Sequence, residues 1–430
     1  MSNSKIWIDV TMLVNWTGQL TGIQRVEYNL AKRFSLQSNV AFCVFDKVSQ
    51  KCSEFDFKHI EYKVSMLQVQ TVSTGQSVNQ STVPATYRRI AKKLYLATVR
   101  VAPRKLTATA GRTYRALRQK STVNQEQQVS FMQDDVFLIL SGDWSDNLFA
   151  DWVKSTRKAS DIKVLQIVYD MLPYVQPAYF VEGMSKQFSD YMERMFNICD
   201  GLLAISKSTK RDIETFMQAK KIQNVPVEVF RLGDDFVKQK PVRPNIEVES
   251  GDFILCVGTI EARKNHALLY YAMREAMNKN IYVPPIVIVG KVGWLSGDFM
   301  YMVKHDTELS KKFVFLNYCT DQELAWLFGN CKFTVYPSYY EGWGLPIAES
   351  LYYGKYCLAS ESSSMPEIAG NFIDYFSPND PVILLNKIQY YISNPESLKV
   401  KEERIKKDYS TTSWDDTFEV VNRFVSGFVN

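Results

Sequence analysis

Two carboxylates, Glu341 and Glu349, stand eight residues apart around a glycine-containing run, and upstream an arginine and a lysine sit side by side at 263 and 264. A carboxylate only accepts hydrogen bonds, so two of them suit a ligand rich in sugar hydroxyls. An Arg-Lys pair combines a rigid planar fork of donors with a mobile point charge, which suits a diphosphate. Between the glutamates, Gly342, Trp343, Gly344 and Leu345 lead into Pro346. Proline fits the first turn of a helix because its ring presets φ and its missing N–H would be unpaired there. The backbone N–H groups of Gly344 and Leu345, with roughly +0.5 of a charge, would then face any anion in front of the loop. The bland alternatives are an ordinary strand-to-helix turn with Glu349 on a solvated face, and an Arg-Lys pair on open surface.

Positioning these residues takes strands and helices in alternation. Lys332 to Tyr336 alternates and is rich in β-branched and aromatic residues, as a buried strand should be. The helix after Pro346 has Ile347 and Leu351 on its apolar side and Gly354 to close it. Phe253 to Val257 reads as a strand and Gly258 as its turn, with Glu261 to Lys264 leading into a helix near Asn265. Further strands are expected at 285–290 and 314–318, the latter ending at Tyr318, and a helix at 321–329. In the first half, strands are read at 6–10, 40–45, 136–140, 162–169, 200–205 and 227–230, with Ser206 capping the helix that follows the fifth. Ile23, Val26, Leu30 and Phe34 give a helix after a loop that ends at Gly22. Tyr169 and Asp170 end their strand where ligand clefts open in α/β sheets. The run from 237 to 251 has two prolines and little apolar content, so it reads as a linker. Trp414, Phe418, Val421, Phe424 and Phe428 put a last helix in the tail.

EGWGLPIAE (341–349) resembles the E-x7-E signature of retaining glycosyltransferases of family 4, which have the GT-B fold. VGTIEARKNH (257–266), IVIVGKVGW (286–294) and FLNYCTDQELAWLF (315–328) resemble the same family in the same order, and TGIQRVEYNLAKRF and VYDMLPYVQPAYF match its less regular N-terminal half. The resemblance implies an α/β chain of two Rossmann-like domains facing a cleft. These would be an acceptor domain over 1–238, a nucleotide-sugar domain over 239–410, and a helix over 411–430 crossing back to the first. It also implies roles. Arg263, Lys264 and the Gly344 and Leu345 amides would neutralise the diphosphate, Glu349 would hold the ribose, and Glu341 would position the donor hexose, with Gly342, Trp343, Gly258 and Tyr318 around the donor. Gly22, Tyr169 and Asp170 would line the cleft. Many members have His-Asp where this chain has Tyr169-Asp170, and none of its three histidines stands there, so no histidine base is assigned. The family also implies transfer from a GDP-, UDP- or dTDP-sugar, with no metal or further cofactor, to a glycan or lipid-linked oligosaccharide. The motifs around 21–34 and 168–180 look like those of bacterial mannosyltransferases of O-antigen or capsule, which makes GDP-mannose the first reading. A non-catalytic sugar-nucleotide-binding or assembly partner is the alternative.

Size and composition fit. A chain of 430 residues suits two domains of about 200. With 51 basic against 46 acidic residues, total charge implies no nucleic-acid partner. Seven cysteines without a C-x-x-C pair read as reduced and buried, and no run is apolar enough to span a bilayer, so a cytoplasmic location is expected. No acidic residue occurs between Glu61 and Glu126, whereas 88–120 is dense in Arg and Lys interleaved with apolar residues. Such a segment can lie on an anionic membrane, each basic residue contributing on the order of 1 kcal/mol; its plainer reading is a solvated helical face. No Asp-x-Asp metal motif occurs, and Gly290-Lys-Val-Gly293 falls short of the dinucleotide-binding glycine pattern.

Overall fold

A computed structural model describes residues 4–17, 20, 22–74, 127–145, 147–234, 236 and 239–429. The basic segment 88–120 lies outside the described residues. The strands are β1 Ile6–Asp9, β2 Val40–Asp46, β3 Lys51–Phe55, β4 Val136–Ile139, β5 Lys163–Val168, β6 Gly201–Ala204 and β7 Val227–Val229, then β8 Ile254–Val257, β9 Ile286–Val289, β10 Phe313–Leu316, β11 Phe333–Tyr336, β12 Cys357–Ser360 and β13 Asp374–Phe376. They form two sheets, ordered β3-β2-β1-β4-β5-β6-β7 and β10-β9-β8-β11-β12-β13. Every pairing is parallel except β2 with β3. Continuous apolar runs such as Ile286–Val289 and Val136–Ile139 are buried throughout, as helices on both faces of a parallel sheet require.

Each sheet reverses its winding once, between β1 and β4 in the first and between β8 and β11 in the second. At such points neighbouring connections leave in opposite directions and a crevice opens at the carboxyl ends of the strands. Five helices matter for what lies there: α1 Ile23–Phe34, α2 Lys207–Lys220, α3 His266–Asn278, α4 Leu345–Tyr352 and α5 Trp414–Ser426. Ser206 caps α2 as expected, its side chain accepting from the Thr209 N–H. Ser413 and Asp416 form a reciprocal capping box on α5.

The last helix returns to the first domain. Arg33 Nε meets Asp415 Oδ1 at 2.6 Å, Gln37 donates to Asn422 at 3.0 Å, and the Phe34 and Phe418 rings lie 4.8 Å apart edge to face. The apolar face of α5 is carried by Trp414, Val421 and Val425, all buried, with Phe418, Phe424 and Phe428 at its margin. The edge strand β3, antiparallel to β2, escapes a reading by pattern because KCSEF carries two charges and only one buried side chain.

Candidate active site

The loop after β11 and the turn after β8 come from neighbouring strands, and so the glutamate loop and the Arg-Lys pair meet. Arg263 and Lys264 stand on a 3-10 turn, Ala262–Lys264, rather than on the helix itself. Asn265 adopts φ 57 and opens α3; its side-chain amide donates to the carbonyls of Pro337 and Pro378, tying the turn to the end of β11. The Tyr339 N–H donates to the Arg263 carbonyl at 2.8 Å, which locks the two segments in register.

Glu341 is gripped from two sides. Arg263 Nη1 lies 2.5 Å from its Oε2 and Lys264 Nζ 2.7 Å from its Oε1. Burial alone would push the Glu341 carboxyl up, but the two cations outweigh burial and hold it at about 2. Arg263 Nε also meets Glu261 Oε1 at 2.7 Å, and Lys264 donates to the Tyr336 hydroxyl at 2.6 Å. Burial lowers Lys264 against the pull of Glu341, whereas for Arg263 the carboxylates Glu341 and Glu261 prevail and raise it. The pairing leaves free donors: Arg has five N–H groups and Lys three, and each ion spends two at short range.

Gly344 adopts φ 150 at the start of α4, a conformation L side chains rarely take, and Pro346 sits in the first turn as the sequence predicts. Gly354, at φ 68, follows the end of that helix. Leu345 is half-buried against the core at the first helical position. Glu349 lies one turn in, and burial raises its carboxyl while Arg25, reaching over from α1 to 3.5 Å, lowers it. Gly258, at φ 152, ends β8 with the Lys264 side chain over it. Tyr318 is exposed just past β10.

Some expected residues sit differently. At Gly342, a Cβ would fall 2.1 Å from the carbonyl oxygen of Tyr169 and 2.9 Å from Asp170 Cβ, so the glycine permits the two domains to touch. Trp343 is buried, with the Arg231 guanidinium 5.4 Å over its ring, and forms part of the packing between the domains. Gly22 has φ 51 with nothing within 4 Å of a would-be Cβ; its conformation, not a close approach, asks for glycine. Asp170 faces Arg263 and Glu341, is raised by burial, and accepts from the Leu172 N–H at 3.0 Å. The Tyr169 hydroxyl is buried beside Glu27, with no hydrogen-bond partner among the described residues. His266 is buried against Phe299, and burial pushes it down to about 3, which suits packing rather than proton transfer.

Other groups of the site lie in SSSMPEIAG (362–370), a run that resembles the family's next loop but does not show their partners. Ser363 Oγ accepts from the Glu341 N–H, and Ser364 Oγ donates to the Glu341 and Trp343 carbonyls. Three residues on, Glu367 crosses to the first domain and accepts from the Lys207 and Ser208 amides at 2.7 and 2.8 Å, at the start of α2. Tyr340 donates to Asp212 on the same helix. The serine run 362–364 is visible in the sequence; that its hydroxyls brace the glutamate loop is not. In the first domain, Glu27 accepts from Ser141, its other oxygen has no partner among the described residues, and burial raises it to about 8.

Residues 238–408 match the family described as glycosyl transferases group 1. The serotype-specific mannosyltransferase WbdA of Escherichia coli is 25% identical over 287 residues, covering 62% of this chain and 34% of that protein. The O-antigen chain mannosyltransferase RfbU of Salmonella typhimurium is 23% identical over 262 residues, covering 60% of this chain and 68% of its own. The chain thus spans about a third of the length of the WbdA relatives it matches. Among solved structures, Anabaena Alr3699/HepE in complex with UDP and glucose aligns with a TM-score of 0.61 at 13% identity, over 98% of this chain and 99% of that one. The fold is the expected GT-B arrangement of two facing α/β domains, and the match to the group 1 glycosyl transferases lies in the second of them. No helix among the described residues is long and apolar enough to cross a membrane.

Proposed function

We propose that this glycosyltransferase transfers a hexose, with retention, from a nucleotide diphosphate sugar to a hydroxyl of a growing surface glycan, and that GDP-mannose is the donor. The observation that carries the reading is Glu341, held by Arg263 and Lys264 beside the N-terminus of α4. The hard step is departure of the nucleoside diphosphate, on which negative charge grows as the C1–O bond breaks. The remaining N–H donors of Arg263 and Lys264, with the Gly344 and Leu345 amides, stabilise that charge; preorganised donors of this kind are worth about 3 kcal/mol each. Glu341, kept ionised, positions the hexose and supports positive charge at C1. Glu349 holds the ribose. With no histidine at position 169, the departing phosphate oxygen takes the proton of the incoming hydroxyl, and the reaction proceeds without a metal ion.

The mannosyltransferase relatives support mannose and an O-antigen or capsule acceptor. We place the work at the inner face of the plasma membrane, with 88–120 as the contact to anionic lipid. The test is incubation with GDP-mannose, UDP- and dTDP-sugars and a mannosylated acceptor, with and without EDTA. Release of GDP with an α-linked product from the α-linked donor, unaffected by EDTA, is expected. Turnover of another donor corrects the sugar; loss of turnover in EDTA overturns the metal-free step.

A further inference from the structure

Arg25 lies in the first turn of α1, on the first-domain wall, and its side chain crosses the cleft. Nη1 stands 3.5 Å from Glu349 Oε1, and the guanidinium carbon lies 5.4 Å over the Phe236 ring. Both partners of the ion pair keep some exposure, 27% and 14% of their side chains. A single contact at this distance engages one of the five N–H donors of the fork, and among the described residues the side chain donates to no other group. The cations of the second domain are committed differently. Arg263 holds Glu261 and Glu341, and Lys264 holds Glu341 and Tyr336.

Position strengthens the case. Leu345 opens α4 and Glu349 lies four residues further along. At 1.5 Å of rise per residue, that is about 6 Å, so a guanidinium beside Glu349 stands within roughly a turn of the amides that begin the helix. Glu349 has lone pairs to spare for ribose hydroxyls while Oε1 keeps its arginine, because an ionised carboxylate has about four acceptor sites. The guanidinium lies over the ring of Phe236 at 5.4 Å, a face on which a planar fork can stack and a lysine cannot.

We propose that Arg25 is a ligand of the donor diphosphate contributed by the first domain, so that a single anion is held by both domains at once. This rests on the donor site proposed above and adds a residue to it. A planar fork can give two parallel hydrogen bonds to one phosphate. Binding of a nucleoside diphosphate then draws α1 toward α4.

The experiment compares GDP with guanosine, and UDP with uridine, by calorimetry and thermal shift on the full chain at two salt concentrations. For Arg25→Gln the diphosphate is expected to bind about tenfold more weakly, since a hydrogen bond to a charged group is commonly worth one decade or more. The nucleoside is expected to be unaffected, and the difference to shrink at high salt. Arg25→Lys, which keeps the charge without the fork, should fall between. An Arg25→Gln protein that binds the diphosphate like the wild type overturns the proposal. One that loses diphosphate and nucleoside equally also overturns it, because Arg25 then only orients Glu349. Failure of the wild type to prefer any diphosphate over its nucleoside overturns the donor site itself.

Discussion

Arg263 and Glu341 meet at 2.5 Å across the gap between the turn after β8 and the loop after β11, and the same glutamate takes Lys264 at 2.7 Å. In the proposed reaction a carboxylate so held serves two ends: it stays charged beside C1, and it restrains two cations that later face phosphate. Glu341→Gln separates these. The amide keeps the shape and loses the charge, leaving Arg263 and Lys264 freer for the diphosphate. Nucleoside diphosphate affinity should be unchanged or tighter, while turnover falls by about two to three decades, as loss of a transition-state electrostatic contact commonly gives. Breaking a buried ion pair from one side also costs about 3 kcal/mol of stability. Calorimetry with GDP, steady-state kinetics and urea unfolding check the three parts; normal turnover in the variant refutes the role of Glu341.

Gly342 and Tyr169 give a second prediction. A methyl group at 342 would sit 2.1 Å from the Tyr169 carbonyl oxygen, so Gly342→Ala must push the glutamate loop and the first domain apart. Overpacking of this sort costs about 1–3 kcal/mol. The loss should fall on kcat, because the two walls of the cleft move relative to each other, while nucleotide binding within the second domain is retained. Equal losses in affinity and turnover would show instead that the glycine serves the donor directly.

What could be read in the sequence follows from distance along the chain. The strand–turn–helix units at 253–278 and 332–354 each carry their own signals, so the elements on both sides of the candidate site were legible, including Pro346 in the first turn and the cap at Gly354. That Arg263 and Lys264 grip Glu341 was not, since it depends on β8 and β11 being neighbours across a switch point. Arg25 with Glu349, Glu367 with the start of α2, and Gly342 against Tyr169 are contacts between domains, and no local pattern announces them. Gly22 and Gly342 look alike as letters; one serves an unusual φ and the other a close approach.

Buried carboxyls of opposite character set the pH dependence of stability. Burial raises Glu27 from 4.5 to about 8, against Ser141 and with Asp9 adding to the rise. The unfolded chain gives up that proton near 4.5, the folded one near 8, so the folded form binds more protons in between. Stability must therefore fall as pH rises from about 4.5 to about 8, by at most a few kcal/mol at roughly 1.4 kcal/mol per unit. Asp9, raised by burial from 3.8 to about 6, adds the same sign at lower pH. Glu341, lowered from 4.5 to about 2, contributes stability that is present above 4.5 and lost as pH falls toward 2. In Glu27→Gln the slope between pH 5 and 8 should flatten, with the variant the more stable of the two at pH 8. Urea unfolding at several pH values checks this, and an unchanged slope refutes it.

Glu367 stands on the short helix Met365–Ala369, beyond the serines that brace the glutamate loop. Its two oxygens accept from the Lys207 and Ser208 amides, which begin α2 in the other domain, where a carboxylate is favoured by the unpaired N–H groups and the helix dipole. Ser363 and Ser364, just before it, hold the backbone of Glu341 and Trp343. Glu367→Ala therefore removes a cap of about 1 kcal/mol and loosens the segment that braces the glutamate loop. The domains should separate more readily, seen as faster proteolysis in the run from 237 to 251 that the sequence reads as a linker. Turnover should fall by about tenfold, the rate equivalent of 1.4 kcal/mol. Glu367→Gln, which can still accept one of the two hydrogen bonds, should recover part of both. A Glu367→Ala protein with wild-type proteolysis and reduced turnover would place Glu367 in the reaction itself and refute its role as a tie between the domains.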